Sequence, residues 1–585
     1  MTGKELALQM LARPSMTRLF QTSRALSATM LDLLVGSLLG VMISVAAALF
    51  VTGTRFFSQL QLFGQELSFT FAGLDIHPTI FFTLGLAAVS LRAVRSLFDL
   101  DRWHGPADTI YAAHSTKEEI DFKRGIGSTL AAFVSAAGGA SVGQYGPLVH
   151  FGATLGSAIR WLLRGRLQSD IVISCGVAAA ISAGFDAPLA GILFAHEAII
   201  RHFSFRALGS IATSSVAASA MTNYVFSPPR MMPVTLPDID QLHQLILPLL
   251  ASGIWFGMIA VLFMNTLRSL TAYGQSNGAG WEKNVLRALL ITGVIGAVLP
   301  QVTGLGAGTI LNIVAGHFDI ALLLAILAGK LLATCVCLGL GFFGGVFSPA
   351  LVMGAAAGGV SAYVFAQLGL PGLAPAMVLA GMAAVAASIV GAPISTVLIV
   401  LELTGSYDFA LAALVAVVCS VLTSNVLFGH SFFDRQLLGR GIDIATGRWR
   451  LNAQEVPVSS FVVQNFIRLN ATDSIPDAIA AMQHAKQTEA YCVAPDGQFL
   501  GKVHLLDLMA ARSEDRVAHH ALNNTIKLWH DDTLLTAIDV ARQFVGESIP
   551  AIDRTSGILT GVLRESDIFN AYAAVEHNIH ELENK

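Results

Sequence analysis

The chain has 585 residues, of which 54% are hydrophobic and only 13% charged, with a formal net charge of −4. A soluble protein of this size carries about a quarter charged residues, so most of this chain must face lipid or other buried helices. The near-neutral balance offers no basic face for nucleic acid, no nucleophile–base set or metal-ligand spacing points to an enzyme or a metal site, and the five cysteines read as buried thiols.

Residues 1–30 hold Lys4, Arg13, Arg18 and Arg24 against Glu5 alone, with no cleavable signal, which predicts a cytoplasmic N-terminal segment. Leu31–Phe50 is long enough to span, since about 20 apolar residues cross the hydrocarbon. Similar runs follow at Ile80–Ala93, Thr129–Val142, Val172–Phe194, Ile246–Phe263, Ala288–Leu299, Ile320–Leu340, Val378–Leu403 and Ala410–Leu427. Many are short or broken by glycine. Small residues let helices approach closely in lipid, and broken helices survive there only when covered by protein or lining a cavity. The pattern predicts a thick bundle of unequal, tilted helices. The polar stretches Asp99–Arg124 and Pro228–Leu242 read as loops or interfacial helices.

Two glycine–proline helix starts stand out. The first is Gly143-Gln144-Tyr145-Gly146-Pro147-Leu148-Val149-His150, and the second is Gly344-Gly345-Val346-Phe347-Ser348-Pro349-Ala350-Leu351. Such a start leaves backbone N–H groups pointing outward with the positive end of the helix dipole behind them, which suits an anion. Two of them in corresponding places of two halves point to a transport site near the membrane midplane. The halves match again at Ala187-Pro188 and Ala392-Pro393, each opening a helix that reaches a glutamate, Glu197 or Glu402, nine residues after the proline (197 − 188 and 402 − 393). These residues do not decide between a parallel and an inverted repeat. Glu197 and Glu402 read first as structural hydrogen-bonding groups, with transport as the alternative. Lys330 reads as snorkelling or paired, and His150 and His196 as packing or hydrogen-bonded histidines, with pH sensing as the alternative.

After Arg450 the composition turns polar. Residues 452–512 and 513–575 read as two small α/β units, followed by a frayed tail at 576–585. Each unit offers a helix, two strands across a turn, and an acidic residue before another helix. Asp507 and Asp567 are expected there as helix N-caps.

The motifs resemble those of the CLC family of chloride channels and chloride/proton exchangers. The second helix start is similar to the family's GGxFxPxLxxGA, Ala187–Phe194 to a further family segment, and Ser431-Phe432-Phe433-Asp434 to its SIYD. The resemblance implies a polytopic α-helical membrane protein with an inverted repeat of tilted, broken helices over residues 31–450. It also implies a C-terminal CBS-domain pair on the cytoplasmic side, and a homodimer with one anion pathway per subunit in a prokaryotic plasma membrane. Carried over residue by residue, the anion-binding set is Tyr145, Gly146, Pro147, Val346, Phe347, Ser348, Phe433 and His104, with Tyr145 as the gate. The family's gating glutamate is Tyr145 here, its intracellular proton-relay glutamate is Ala198, and its pore tyrosine is Phe433. A phenol has a reference pKa near 10 and stays neutral at pH 7. With both carboxylates missing, the expectation is passive, uncoupled conduction of a small inorganic anion. Chloride is the default, with bicarbonate or nitrate open, and the alternative is an exchanger using a non-standard relay. Asp507 and Asp567 are the candidate contacts for an adenine nucleotide, although His504 and Arg564 stand where nucleotide-binding CBS units carry Ser or Thr.

Overall fold

The computed structural model describes residues 16–62, 68–71, 74–115, 120–164, 167–226, 242–522 and 525–584. The chain divides into two compact units, the first ending at Gly441 and the second running from Ile442.

The first unit is helical. Its first half holds α1 (Met16–Leu62), a short antiparallel hairpin of β1 (Phe69–Phe71) and β2 (Leu74–Ile76), α2 (Thr79–Phe98), α3 (Pro106–His114), α4 (Phe122–Ala137), α5 (Tyr145–Leu162), α6 (Ser169–Phe185), α7 (Pro188–Phe194) and α8 (Phe205–Met221). The second half repeats the series as α9 (Leu242–Ser276), α10 (Gly280–Val298), α11 (Ala307–Val314), α12 (Ile320–Leu340), α13 (Phe347–Gln367), α14 (Ala374–Val390), α15 (Pro393–Thr404) and α16 (Tyr407–Leu427), and α17 (Phe432–Leu438) closes the unit. Among the described residues, six helices are long and apolar enough to cross a membrane, and four shorter apolar helices lie between them. The protein is therefore an integral, polytopic membrane protein.

Several sequence expectations need correcting. The single runs Val172–Phe194 and Val378–Leu403 are each two helices. Asp186 (φ 54°) and Gly391 (φ 81°) end α6 and α14 in the left-handed conformation, and Pro188 and Pro393 restart the chain as α7 and α15. The Asp99–Arg124 stretch, expected as loops or short interfacial helices, holds one short helix, α3, and needs no correction. The Pro228–Leu242 stretch lies outside the described residues up to its last position, where α9 begins. Helix α1 already starts at Met16, inside the segment expected to precede the membrane. The 576–585 tail is helical to Asn584, because α22 (Glu565–Asn584) packs Tyr572 edge-on against Trp449 at 5.6 Å.

The two halves contact each other reciprocally, which is the mark of an approximate two-fold axis. Gly143 and Gly345 form an antiparallel bridge, N–H to O=C both ways, at 2.7 and 2.6 Å. Within each half the same close approach recurs. A Cβ on Gly152 of α5 would sit 2.2 Å from the Gly176 carbonyl of α6, and one on Gly354 of α13 would sit 2.3 Å from the Gly381 carbonyl of α14. Only glycine permits these backbones to touch, and in lipid such packing replaces the hydrophobic effect as the associating force.

The second unit opens with α18 (Arg448–Glu455) and repeats a β-α-β-β-α order. The first copy comprises β3 (Arg468–Asn470), α19 (Ile475–Ala485), β4 (Glu489–Val493), β5 (Phe499–His504) and α20 (Leu505–Ala510). The second comprises β6 (Leu528–Trp529), α21 (Leu534–Ala541), β7 (Ile549–Ile552), β8 (Leu559–Leu563) and α22. In each three-stranded sheet the first pair is parallel and the second antiparallel. A shared apolar cluster of Tyr491, Val493, Ile552, Leu559 and Val562 joins the copies. Beside it lies a buried ion pair between Lys502 and Glu489, whose ammonium also donates to the Ser548 carbonyl at 3.0 Å. Asp507 and Asp567 are not N-caps. They occupy the third position of α20 and α22, behind His504 and Arg564, and the Asp567 carboxylate accepts from the Arg564 N–H at 3.0 Å, as in a capping box.

Candidate functional site

The glycine bridge brings the N-termini of α5 and α13 face to face. The residues just ahead of the two helices, Gln144 and Val346, supply no side-chain cap, and the first amides of each helix have no intrahelical acceptor. The two starts interlock, with the Gln144 N–H reaching Ser348 Oγ at 3.4 Å. A third helix start joins them. A Cβ on Gly146 would lie 3.2 Å from Gly345 Cα and 3.4 Å from Pro106 Cγ at the head of α3. Three positive helix ends thus converge on one spot.

Apolar rings wall that spot. Tyr145 stacks on Phe185 with ring centroids 3.8 Å apart and meets Phe347 edge-on at 5.6 Å, while Phe185 and Phe347 lie 5.1 Å apart. All three are buried. The Tyr145 hydroxyl donates to the Gly184 carbonyl at 3.4 Å, and a Cβ on Gly184 would strike the ring at 2.7 Å. Tyr145, Gln144 and Ser348 also line a cavity of about 330 Å³ whose far wall is the glycine-rich loop Thr303–Gly308 and whose rim includes Arg55. Among the described residues that line it there is no carboxylate. Behind the loop, the fully buried Lys330 donates to the carbonyls of Val302 (3.0 Å) and Gly304 (2.8 Å), so it pairs with backbone and does not snorkel.

Magnitudes show which groups matter. A helix end is worth up to about 2 kcal/mol to a partly buried anion, whereas stripping an ion of water costs several kcal/mol. Direct N–H contacts at about 1.5–3 kcal/mol each must supply the balance. The uncapped amides are therefore the chemistry of the place, and the dipoles, Lys330 and Arg55 bias its sign.

The remaining expected residues fall elsewhere. Phe433 is buried and its ring meets that of Phe432 at 5.8 Å. Its turn is built by Ser431, which caps α17, and by the ion pair between Asp434 and Arg201. His104 does not face the Tyr145 ring. Its N–H donates to Ser128 Oγ at 3.0 Å and its ring stacks on His150 at 6.2 Å. Ala198 is buried in a π-helical turn, Ala195–Ile200. His196, on the same turn, has Nδ1 2.9 Å from the Ile192 carbonyl and Nε2 3.3 Å from that of Ser204.

Glu197 and Glu402 are reciprocal helix caps. Glu197 accepts from the N–H groups of Ile394 and Ser395 and from Ser395 Oγ, at 2.6–2.8 Å, at the start of α15. Glu402 accepts from Leu189 and Ala190 N–H, at 2.9 and 2.8 Å, at the start of α7. Sequence reasoning missed Arg55, Phe185 and the Thr303–Gly308 loop. The loop's alternating glycines were a usable signal, while the other two carry no local pattern.

The chain was compared with known proteins. Residues 85–425 match the family model described as voltage gated chloride channel. An H(+)/Cl(-) exchange transporter ClcA of Vibrio vulnificus is 31% identical over 324 residues, covering 52% of this chain and 67% of that protein. Its counterpart in Vibrio cholerae is 30% identical over 336 residues, covering 55% and 70%. Among solved structures, a slow cyanobacterial Cl−/H+ antiporter superposes with a TM-score of 0.61 at 22% identity, covering 70% of this chain and 97% of its own. A eukaryotic CLC transporter gives 0.61 at 17% identity over 92% and 98%. These structures share the fold.

The exchanger relatives overturn the expectation of passive, uncoupled conduction. That expectation equated the loss of two carboxylates with the loss of every proton route. A fold can carry protons through any connected set of protonatable groups, and two missing carboxylates remove only one such set. The match over residues 85–425, with both glycine–proline helix starts inside it, means that the chain belongs to the voltage gated chloride channel (CLC) family.

Proposed function

We propose that this chain is a secondary exchanger that moves a small inorganic anion, chloride by default, against protons across a prokaryotic plasma membrane. The observation that carries this is the alignment with H(+)/Cl(-) exchange transporters over about two thirds of their length. The anion sits at the uncapped amides around Gly146, Pro147, Val346, Phe347 and Ser348, and the Tyr145 ring gates its passage. Each subunit of a homodimer holds one pathway. The two β-α-β-β-α copies of the tail are a CBS-domain pair on the cytoplasmic side, a reading supported by their repeated topology.

The test is transport by the purified protein in liposomes at zero membrane potential. An imposed pH gradient is expected to drive chloride uphill, with protons counted against chloride at a fixed ratio. Chloride flux that ignores the pH gradient would refute the exchange reading. Nitrate, bicarbonate and fluoride in place of chloride identify the preferred anion.

A further inference from the structure

A second group of buried polar side chains lies on α5 and α3. His150 lies on α5, little more than one turn beyond Tyr145, and is 1% exposed. Its Nδ1 is 3.0 Å from the Thr109 hydroxyl of α3, and its Nε2 has no protein partner among the described residues. A buried ring nitrogen left bare costs about 1–3 kcal/mol, so its retention calls for an explanation. The His104 ring stacks over it, 6.2 Å away and 20° from parallel, a spacing that one water molecule can bridge. His104 Nδ1 lies 3.9 Å from Asp108 Oδ1. Asp108 is fixed from both sides, by Arg102 at 2.6 Å and Arg440 at 2.8 Å, and its other oxygen accepts from the Gly105 N–H at 2.9 Å. Exposure rises along the series, from buried His150 to the half-exposed side chain of Arg102.

We propose that Asp108, His104 and His150, with Thr109, form the proton relay of this exchanger, in place of the carboxylate route that Tyr145 and Ala198 have removed. The inference rests on the exchange reading above. Imidazole suits the task because it accepts a proton on one nitrogen and releases one from the other, returning to neutral. A proton arriving from water at the Asp108 end binds one His104 nitrogen while the other gives a proton up toward His150. His150 takes it at Nε2 and gives one up from Nδ1 to the Thr109 hydroxyl at 3.0 Å, which hands its own proton on to water. No net charge remains after a transfer. Thr109 holds His150 in place through Nδ1 and can accept or donate as the tautomer changes. The charged groups facing the pair are Asp108, which favours an arriving proton, and Arg102, Arg440 and, toward His104, Arg124, which oppose its accumulation. That balance suits a carrier better than a trap.

The experiment uses the full-length protein in liposomes, with chloride efflux and proton uptake recorded together, for wild type, His150→Gln and His104→Gln. Glutamine keeps a hydrogen-bonding amide but cannot carry a proton at neutral pH. Proton flux is expected to fall at least tenfold in each variant, with chloride flux within threefold of wild type. If wild type itself couples no protons, the exchange reading fails and the relay falls with it. If wild type couples and the ratio of protons to chloride is unchanged in His104→Gln, the relay is wrong while exchange stands. Should His150→Gln not fold, the less buried His104 still decides the matter.

Discussion

Tyr145 is held in place by weak contacts. Its hydroxyl bond to Gly184 is long, at 3.4 Å, and falls at the low end of the roughly 0.5–1.5 kcal/mol of a neutral hydrogen bond. Its stack on Phe185 adds about 0.5–1.5 kcal/mol. The edge-on contact with Phe347 at 5.6 Å adds to these. A glutamate at this place would compete with the anion by charge, whereas a phenol can only obstruct it by volume. The ring and not the hydroxyl should then matter. Tyr145→Phe is expected to leave chloride turnover and the proton ratio within about twofold of wild type. Tyr145→Ala is expected to raise chloride flux at least threefold and to lower the protons moved per chloride, because the anion no longer waits for the gate. Liposome flux assays on both variants check this, and equal fluxes in all three proteins would remove Tyr145 from the pathway.

At the scale of elements, the same fold problem is solved twice by exchange. Helices α7 and α15 begin at Pro188 and Pro393 without side-chain caps of their own, and each takes its carboxylate from the end of the other. A charge at a helix N-terminus that also accepts two or three hydrogen bonds stabilises by about 1–3 kcal/mol. Glu197→Gln keeps the shape but turns an NH2 group toward one N–H donor, so it is expected to cost about 1–2 kcal/mol. The check is a lower thermal midpoint in detergent, with the proton-to-chloride ratio preserved. A lost ratio would instead make Glu197 a proton carrier. The proline-to-glutamate spacing was legible in the sequence because it is local and occurs twice. Its purpose was not, since the partner of Glu197 is almost two hundred residues away and no periodicity links them. The split of α6 from α7 was obscured for a different reason. Composition stays apolar across Asp186 and Pro188, and only the left-handed turn at Asp186 breaks the helix. His104 and His150 show the same limit. Each looked like a lone histidine, and only the docking of α3 against α5 makes them a pair.

For the whole molecule, the division of labour follows from where each unit closes on itself. The proposed anion site draws on α3, α5, α6 and α13 with the Thr303–Gly308 loop, and Arg440 pairs with Asp108 of the proposed relay, so every group assigned to transport precedes Gly441, where the first unit ends. The second unit has cores of its own, and its two copies meet at Ser548, whose carbonyl accepts from the Tyr491 hydroxyl at 2.8 Å and the Lys502 ammonium at 3.0 Å and whose N–H donates to Glu489 at 3.2 Å. The shared apolar cluster and these bonds to Ser548 couple the copies, so they are expected to fold together rather than singly. The membrane architecture and the tail's repeat were both readable from composition and motif. The proposed proton coupling was not, because a reading built on two absent carboxylates is blind to protonatable groups on other helices. The prediction at this scale is a truncation after Gly447, which retains Arg440 and removes the tail. The shortened protein is expected to exchange chloride for protons at a ratio within twofold of the full chain, while its turnover rate is free to change. A second truncation before Arg440 removes one of the two cations on Asp108 and is expected to alter the ratio itself. Flux measurements on both, each confirmed monodisperse by gel filtration, decide the matter. A folded Gly447 truncation that moves chloride without protons would place part of the coupling machinery in the tail.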